Sequence, residues 1–159
     1  MMKILSATQD RWVIQLNQLA KSIIRDSYNL FSYKLVKLGD FIISLRAFYR
    51  GIEYSWYEGI ISPAYIILRV LRANNSFKIN NIFFKYYFKS NQFIRYVNQN
   101  LNYRLRDGKS IFYNQASIYQ ITLPSSIEEQ KKIGDFLKAV DDIIARQNNS
   151  IEKLKHYKT

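Results

Sequence analysis

Three stretches interleave cationic side chains with rings and amides: "SATQDRWVIQ" at 6–15, "SLRAFYRGIEYSWY" at 44–57 and "NYRLRDGKS" at 102–110. That mixture suits a nucleic acid, because Arg and Lys neutralise phosphates, Arg, Asn and Gln can pair with base edges, and aromatic rings stack on bases. Arg11, Arg46, Arg50, Arg104, Arg106 and Lys109 are the expected DNA contacts. Most of them stand beside predicted turns with small or polar neighbours. Gln9, Tyr49 and Asn102 follow as base-edge or stacking candidates. "RDGK" predicts a tight exposed turn at Asp107-Gly108 with Arg106 and Lys109 projecting on either side. The competing account of each tyrosine is a half-buried strand residue.

Covalent chemistry has little to work with. His156 is the only histidine, so neither a His-rich metal site nor a His-based nucleophile relay can be assembled. The 5 glycines form neither a phosphate-binding loop nor a dinucleotide fingerprint, and no motif for a methyl donor or its target base is found. Asp107 with Glu129-Gln130-Lys131 imitates the spaced carboxylates and lysine of metal-dependent nucleases. That pattern is short, and a helix cap already explains Glu129. No cofactor and no metal are expected.

Charge divides the chain. Up to Pro124 there are 17 Lys+Arg against 6 Asp+Glu, a balance of +11, whereas the remainder carries 7 against 6, or +1. A basic globule followed by a nearly neutral segment points to an anionic partner at one end and protein contacts at the other. With 159 residues, 48% of them hydrophobic, the chain is expected to build one core. The absence of cysteine fits a reducing compartment, with the cytoplasm as the expectation. The N-terminal residues lack the pattern of a signal peptide, and no apolar run reaches the roughly 20 residues of a membrane span.

The elements that must hold these groups are mixed. Tyr33 to Arg46 reads as two extended segments around a Gly39-Asp40 turn, and Gly59 to Val70 as a buried strand bent or edged by Pro63. Asn81 to Asn98 carries apolar residues at helical spacing with a polar break at Ser90-Asn91, predicting one or two helices. "ASIYQITLP" alternates like a short strand ended by Pro124. The expected fold is α/β in the α+β sense: a mixed-sheet domain over 1–124, then one long coiled-coil helix over 125–159.

That last segment has the clearest grammar. Ser126 and Glu129 fit a capping box, so the helix is expected to begin at Ile127. Ile133, Leu137, Val140, Ile144, Gln147, Ile151 and Leu154 recur at spacings of four and three, an a/d seam, with Phe136, Ile143 and Tyr157 widening it. Helical to Tyr157, the segment reaches roughly 45 Å, and part of it is expected to project. The alternative is an amphipathic helix lying with its apolar side on its own globule.

In their order along the chain, "SYKLVKLGDFIISLRAF", "GIEYS...YEGIISPAYIILR", "FFKYYFKSNQFIRYVN", "RDGKSIFY" and "ITLPSSIEEQKKIGDFLKAVDDIIARQ" resemble the DNA-specificity subunits of type I restriction-modification systems. The resemblance spans most of the chain. It implies a non-catalytic subunit in which a target-recognition domain reads one half of an interrupted DNA site and a conserved helix sets the gap. Methyltransferase subunits would bind this scaffold, a motor-nuclease subunit would join indirectly, and methyl donor, Mg and ATP would belong to those partners.

Two departures qualify what the resemblance implies. "MMKILSATQDRW" resembles a point already inside the recognition domain, so its opening strands are expected to be missing. One recognition domain with one helix corresponds to half a specificity subunit, expected to pair with a second copy. Trp12 and "AFYRG" at 47–51 stand where smaller, glycine-rich turns are expected. The rival expectation is a truncated fragment that joins or blocks a restriction-modification complex through its helix without reading DNA. A membrane-surface role centred on "FFKYYFKSNQFIRYV" is weaker, since tyrosines and asparagines dilute its apolar face.

Overall fold

Short apolar runs punctuated by glycine, proline and asparagine turns dictate short strands, and seven are present among the described residues. The computed structural model describes residues 2–8, 10–18, 27–44, 51–70, 79–100 and 121–156. The strands are β1 (Ile4–Ala7), β2 (Val13–Gln15), β3 (Lys34–Val36), β4 (Phe41–Ser44), β5 (Glu53–Tyr54), β6 (Gly59–Ile61) and β7 (Tyr65–Leu68). Helices α1 (Asn81–Tyr87), α2 (Asn91–Asn100) and α3 (Ile127–His156) follow. The content is α+β, as expected.

Two sheets form, ordered β2-β1-β6-β3 and β5-β4-β7. In the first, β1 runs antiparallel to β2 and parallel to β6, and β6 is antiparallel to β3. The second is antiparallel throughout. The Gly39-Asp40 turn therefore does not close a hairpin; it carries the chain from one sheet to the other. Gly39 adopts φ +90, a conformation that costs a glycine little. Asp40, 2% exposed, accepts from the Lys37 backbone N–H at 2.7 Å and from Arg69 Nε and Nη2 at 2.7 and 2.6 Å. A buried carboxylate so fully paired ties the turn to the residue after β7.

The stretch expected as one strand from Gly59 to Val70 is two. Pro63 breaks it, and β6 and β7 enter different sheets. Lys34 Nζ fastens this corner by donating to the Pro63 and Tyr65 carbonyls at 3.0 and 2.7 Å.

Alternation along β4 explains how the layers stack. Ile42 packs with Leu5, Val13, Val36 and Ile61 between the sheets, whereas Phe41 and Ile43 point to the other side. There they meet Ile52, Tyr54, Phe83, Phe84, Phe88 and Phe93 from β5, its approach, and the two helices. The β7 residues Tyr65 and Ile67 face one cluster, Ile66 and Leu68 the other. A central sheet buried on both faces is thus covered by the first sheet on one side and helices on the other. Phe88 anchors the helical layer, with ring centroids 5.1, 5.3 and 5.0 Å from Phe41, Phe84 and Phe93.

The helix pair expected between Asn81 and Asn98 is present, with its break at Ser90. Asn80 caps α1 by accepting from the Phe83 N–H at 2.9 Å, and Ser90 Oγ accepts from the Phe93 N–H at 3.2 Å. Of the stretch expected as a strand, "ASIYQITLP", residues 116–120 lie outside the described residues and 121–124 are not strand. Ile121 and Leu123 instead pack on the helical cluster from irregular backbone, which satisfies the same alternation.

Candidate functional site

Of the expected DNA contacts, Gln9, Arg46, Tyr49, Arg50, Asn102, Arg104, Arg106 and Lys109 lie outside the described residues, as does the Asp107-Gly108 turn. Arg11 is exposed in the β1–β2 connection, and its N–H donates to Thr8 Oγ1 at 3.1 Å. The next residue, Trp12, has φ +59, a left-handed value costly for a bulky side chain. This is the position where a smaller residue was expected. Thr8 holds the loop by donating its N–H and its hydroxyl to the Trp12 carbonyl, each at 2.8 Å.

Helix α3 carries a long exposed feature with a shape suited to recognition. Its start is as expected: Ser126 Oγ accepts from the Glu129 N–H at 3.0 Å, and Glu128 and Glu129 stand in the first turn, where negative charge complements the helix dipole. Gln130, 4% exposed, accepts through Oε1 from the Asn80 N–H at 3.0 Å. Gly134 is buried against the first turn of α1, where an added Cβ would stand 2.9 Å from the Phe83 nitrogen. About two turns further along, Asp141 Oδ2 accepts from Tyr86 Oη at 2.8 Å and from Lys85 Nζ at 3.3 Å. Residues 130, 134 and 141 share one helix face.

The resting face is therefore polar and small, and the apolar seam is elsewhere. Counting about 100° per residue, the seam is centred roughly a quarter-turn from the resting face. Leu137 is half-buried between the two. Ile133, Val140, Ile144, Ile151 and Leu154 are exposed, as are the flanking Phe136 and Ile143, with values from 36% at Ile133 to 67% at Phe136. Gln147 is exposed within this row, and every residue from Lys138 to Lys155 is exposed. The helix does not lie with its apolar side on its own globule. The exposed apolar side chains form a contiguous stripe along the helix.

Lys85 is the residue hardest to single out from the sequence. It is 5% exposed, and its ammonium stands 4.6 Å from the Trp12 ring centroid, 5.7 Å from Trp56 and 4.2 Å from Tyr86, besides Asp141 and the Tyr86 hydroxyl. Burial holds its pKa below the ordinary lysine value, against the opposing pull of Asp141. Tyr86 titrates above its ordinary range, first through burial and then through the neighbouring Asp141. Trp12 also lies 5.2 Å from Lys89 Nζ, which pairs with the buried Glu53. Glu53 Oε2 has no hydrogen-bond partner among the described residues, and burial raises its pKa despite Lys89.

Among the described residues no group of three or more His, Cys, Asp or Glu could hold a metal ion, and no helix is long and apolar enough to cross a membrane. Comparison with protein-family models, with curated proteins and with solved structures finds no match.

Proposed function

We propose that this chain is a non-catalytic, DNA-reading half of a type I restriction-modification specificity subunit, with a recognition domain over 1–124 and a spacer helix over 125–159. The observation that carries this reading is α3, docked by a polar face while its apolar seam stands open beside a globule whose charge is +11. A free seam calls for a second helix, and a basic globule for an anionic partner.

The seam fits a second copy of itself. Its apolar rows are nearly symmetric about the point between Ile143 and Ile144, so antiparallel copies place Ile133 against Leu154, Phe136 against Ile151 and Val140 against Gln147. Such an interface is isologous and closes at two chains. A coiled-coil pair of this kind carries two recognition domains to an interrupted palindromic site, and methyltransferase subunits assemble around it. Motor-nuclease subunits then act on DNA that the complex has located.

Two measurements test this reading. Sedimentation equilibrium is expected to give a dimer, reduced to monomer by Ile144→Asp. Selection from random duplexes, with and without a modification subunit, is expected to return two short elements separated by a fixed gap. A dimer that binds all duplexes alike, with affinity falling steeply in salt, replaces DNA reading by the rival role of a complex-joining or complex-blocking fragment.

A further inference from the structure

The geometry points to Lys85 as a positioning residue: gripped by Asp141, Tyr86, Trp12 and Trp56, it fixes the direction in which α3 leaves the globule. The inference rests on the proposed function only for its consequence on DNA. The grip itself is a property of the fold.

Two attachments define the helix axis. The first is at the N-terminal turn of α1, where Gln130 bonds the Asn80 N–H and Gly134 lies against Phe83. The second, near the end of α1, is Lys85 with Asp141. Along α3 these are separated by the rise from 130 to 141, about 16 Å. One attachment permits rocking about a point, whereas two at this separation set a line.

The second attachment is suited to hold an angle because its cost of breaking is built in. Were α3 to swing away, Lys85 would keep its buried ammonium against Trp12 and Trp56 but lose the Asp141 carboxylate. The Tyr86 hydroxyl would lose the acceptor it meets at 2.8 Å. Trp12 is itself held in its left-handed conformation by both Thr8 contacts, so the ring wall is fixed from the other side.

A small rotation has a large effect at the far end. Rocking about Gly134 by about 15° displaces residue 153 by roughly 7 Å, since 19 residues rise about 28 Å. In a paired assembly that displacement appears in the separation of the two recognition domains. The grip would therefore set which gap between half-sites is read.

The chain has no cysteine, so introduced cysteines take spin labels without ambiguity. Labels at Lys153→Cys, on the side of α3 away from the seam, and Glu58→Cys, exposed on the globule, report the helix direction by pulsed electron spin resonance. Labelled chains are diluted with unlabelled ones so that only distances within one chain are read. A Gln92→Cys and Glu58→Cys pair, exposed on α2 and beside β6 on opposite layers of the globule, serves as an internal reference. Asp141→Ala and Lys85→Met are each expected to broaden the 58–153 distance distribution at least twofold, with the reference pair unchanged. Asp141 is half exposed, so its variant decides the matter if Lys85→Met does not fold.

An unchanged distribution in Asp141→Ala overturns the inference. In selected duplexes, the wild type is expected to return one gap length and Asp141→Ala several. If neither chain returns a gapped site while the variant still broadens the distance, the DNA reading fails and the grip stands.

Discussion

Glycine inside a helix is ordinarily a weakness, which makes Gly134→Ala a test whose sign is informative. On an exposed helix the change stabilises by about 1 kcal/mol, through the propensity of alanine. Here the new Cβ would stand 2.9 Å from the Phe83 nitrogen and 3.3 Å from the Ile82 carbonyl carbon. Both atoms belong to backbone in the first turn of α1, which Asn80 caps, so no rotamer change relieves the contact. Overpacking of this kind costs about 1–3 kcal/mol, and a helix pushed outward also weakens the Gln130 and Asp141 bonds, at about 1 kcal/mol each. The balance is a loss of about 1–3 kcal/mol. Urea denaturation followed by the emission of Trp12 and Trp56, which flank Lys85, reads the shift in midpoint at constant slope. Asn148→Ala in the exposed part of the same helix is the control and gains a few tenths of a kcal/mol. A Gly134→Ala chain more stable than the wild type would falsify the docking of α3 on α1.

Further outcomes follow from single sites. Ile144→Asp places a charge at the proposed two-fold axis, and losing two buried isoleucines at about 1.5–3 kcal/mol each weakens self-association by roughly 10²–10⁴-fold; equal dimer fractions in sedimentation would refute the pairing. Phe88→Ala removes a 7%-exposed ring touching Phe41, Phe84 and Phe93, and is expected to destabilise by about 3–5 kcal/mol in the same urea assay; a loss under 1 kcal/mol contradicts the packing described. Glu53 holds its proton more tightly when folded than at its ordinary value of 4.5, chiefly through burial. The wild type therefore loses stability as pH rises from about 4.5 through the raised folded value, and Glu53→Gln, which cannot ionise, does not. The stability difference, variant minus wild type, is expected to climb over that window and then level, and a flat difference excludes a raised pKa.

Local chemistry was legible and its assembly was not. The α3 boundary follows from Ser126 and Glu129, the break between α1 and α2 from Ser90-Asn91, and the turn from Gly39-Asp40, because each depends on neighbours within four residues. Pro63 marked a bend, yet nothing nearby told that β6 and β7 would join different sheets; that depends on Lys34 and the partner strands. β1 and β2 escaped notice because their apolar residues are few and lie among charged ones. Ile121 and Leu123 show at the end of the expected strand that alternation reports which residues are buried, and that irregular backbone can bury them too. Of the basic candidates, Arg11 is the one within the described residues, where it is exposed beside Trp12 in its left-handed conformation.

The face on which α3 rests had a weaker trace in the sequence. Periodicity identifies an apolar stripe, and a helix joined to a globule is ordinarily expected to turn that stripe inward. The inference fails here because docking is achieved by other means: a glycine that lets two backbones approach, a glutamine that meets a backbone N–H, and an aspartate that meets a buried lysine. Gly134 was the visible sign, since a glycine in mid-helix costs stability unless something passes close to it. Lys85 gave none, because a lysine at helical spacing reads as solvated until Trp12 and Trp56, from the β1–β2 and β5–β6 connections, are placed around it. The division has a physical consequence. Polar contacts hold the helix while using little apolar surface, Leu137 alone among the seam residues being half-buried, so the rest of the seam is left exposed. A helix that docked by its seam would have no apolar stripe left with which to pair.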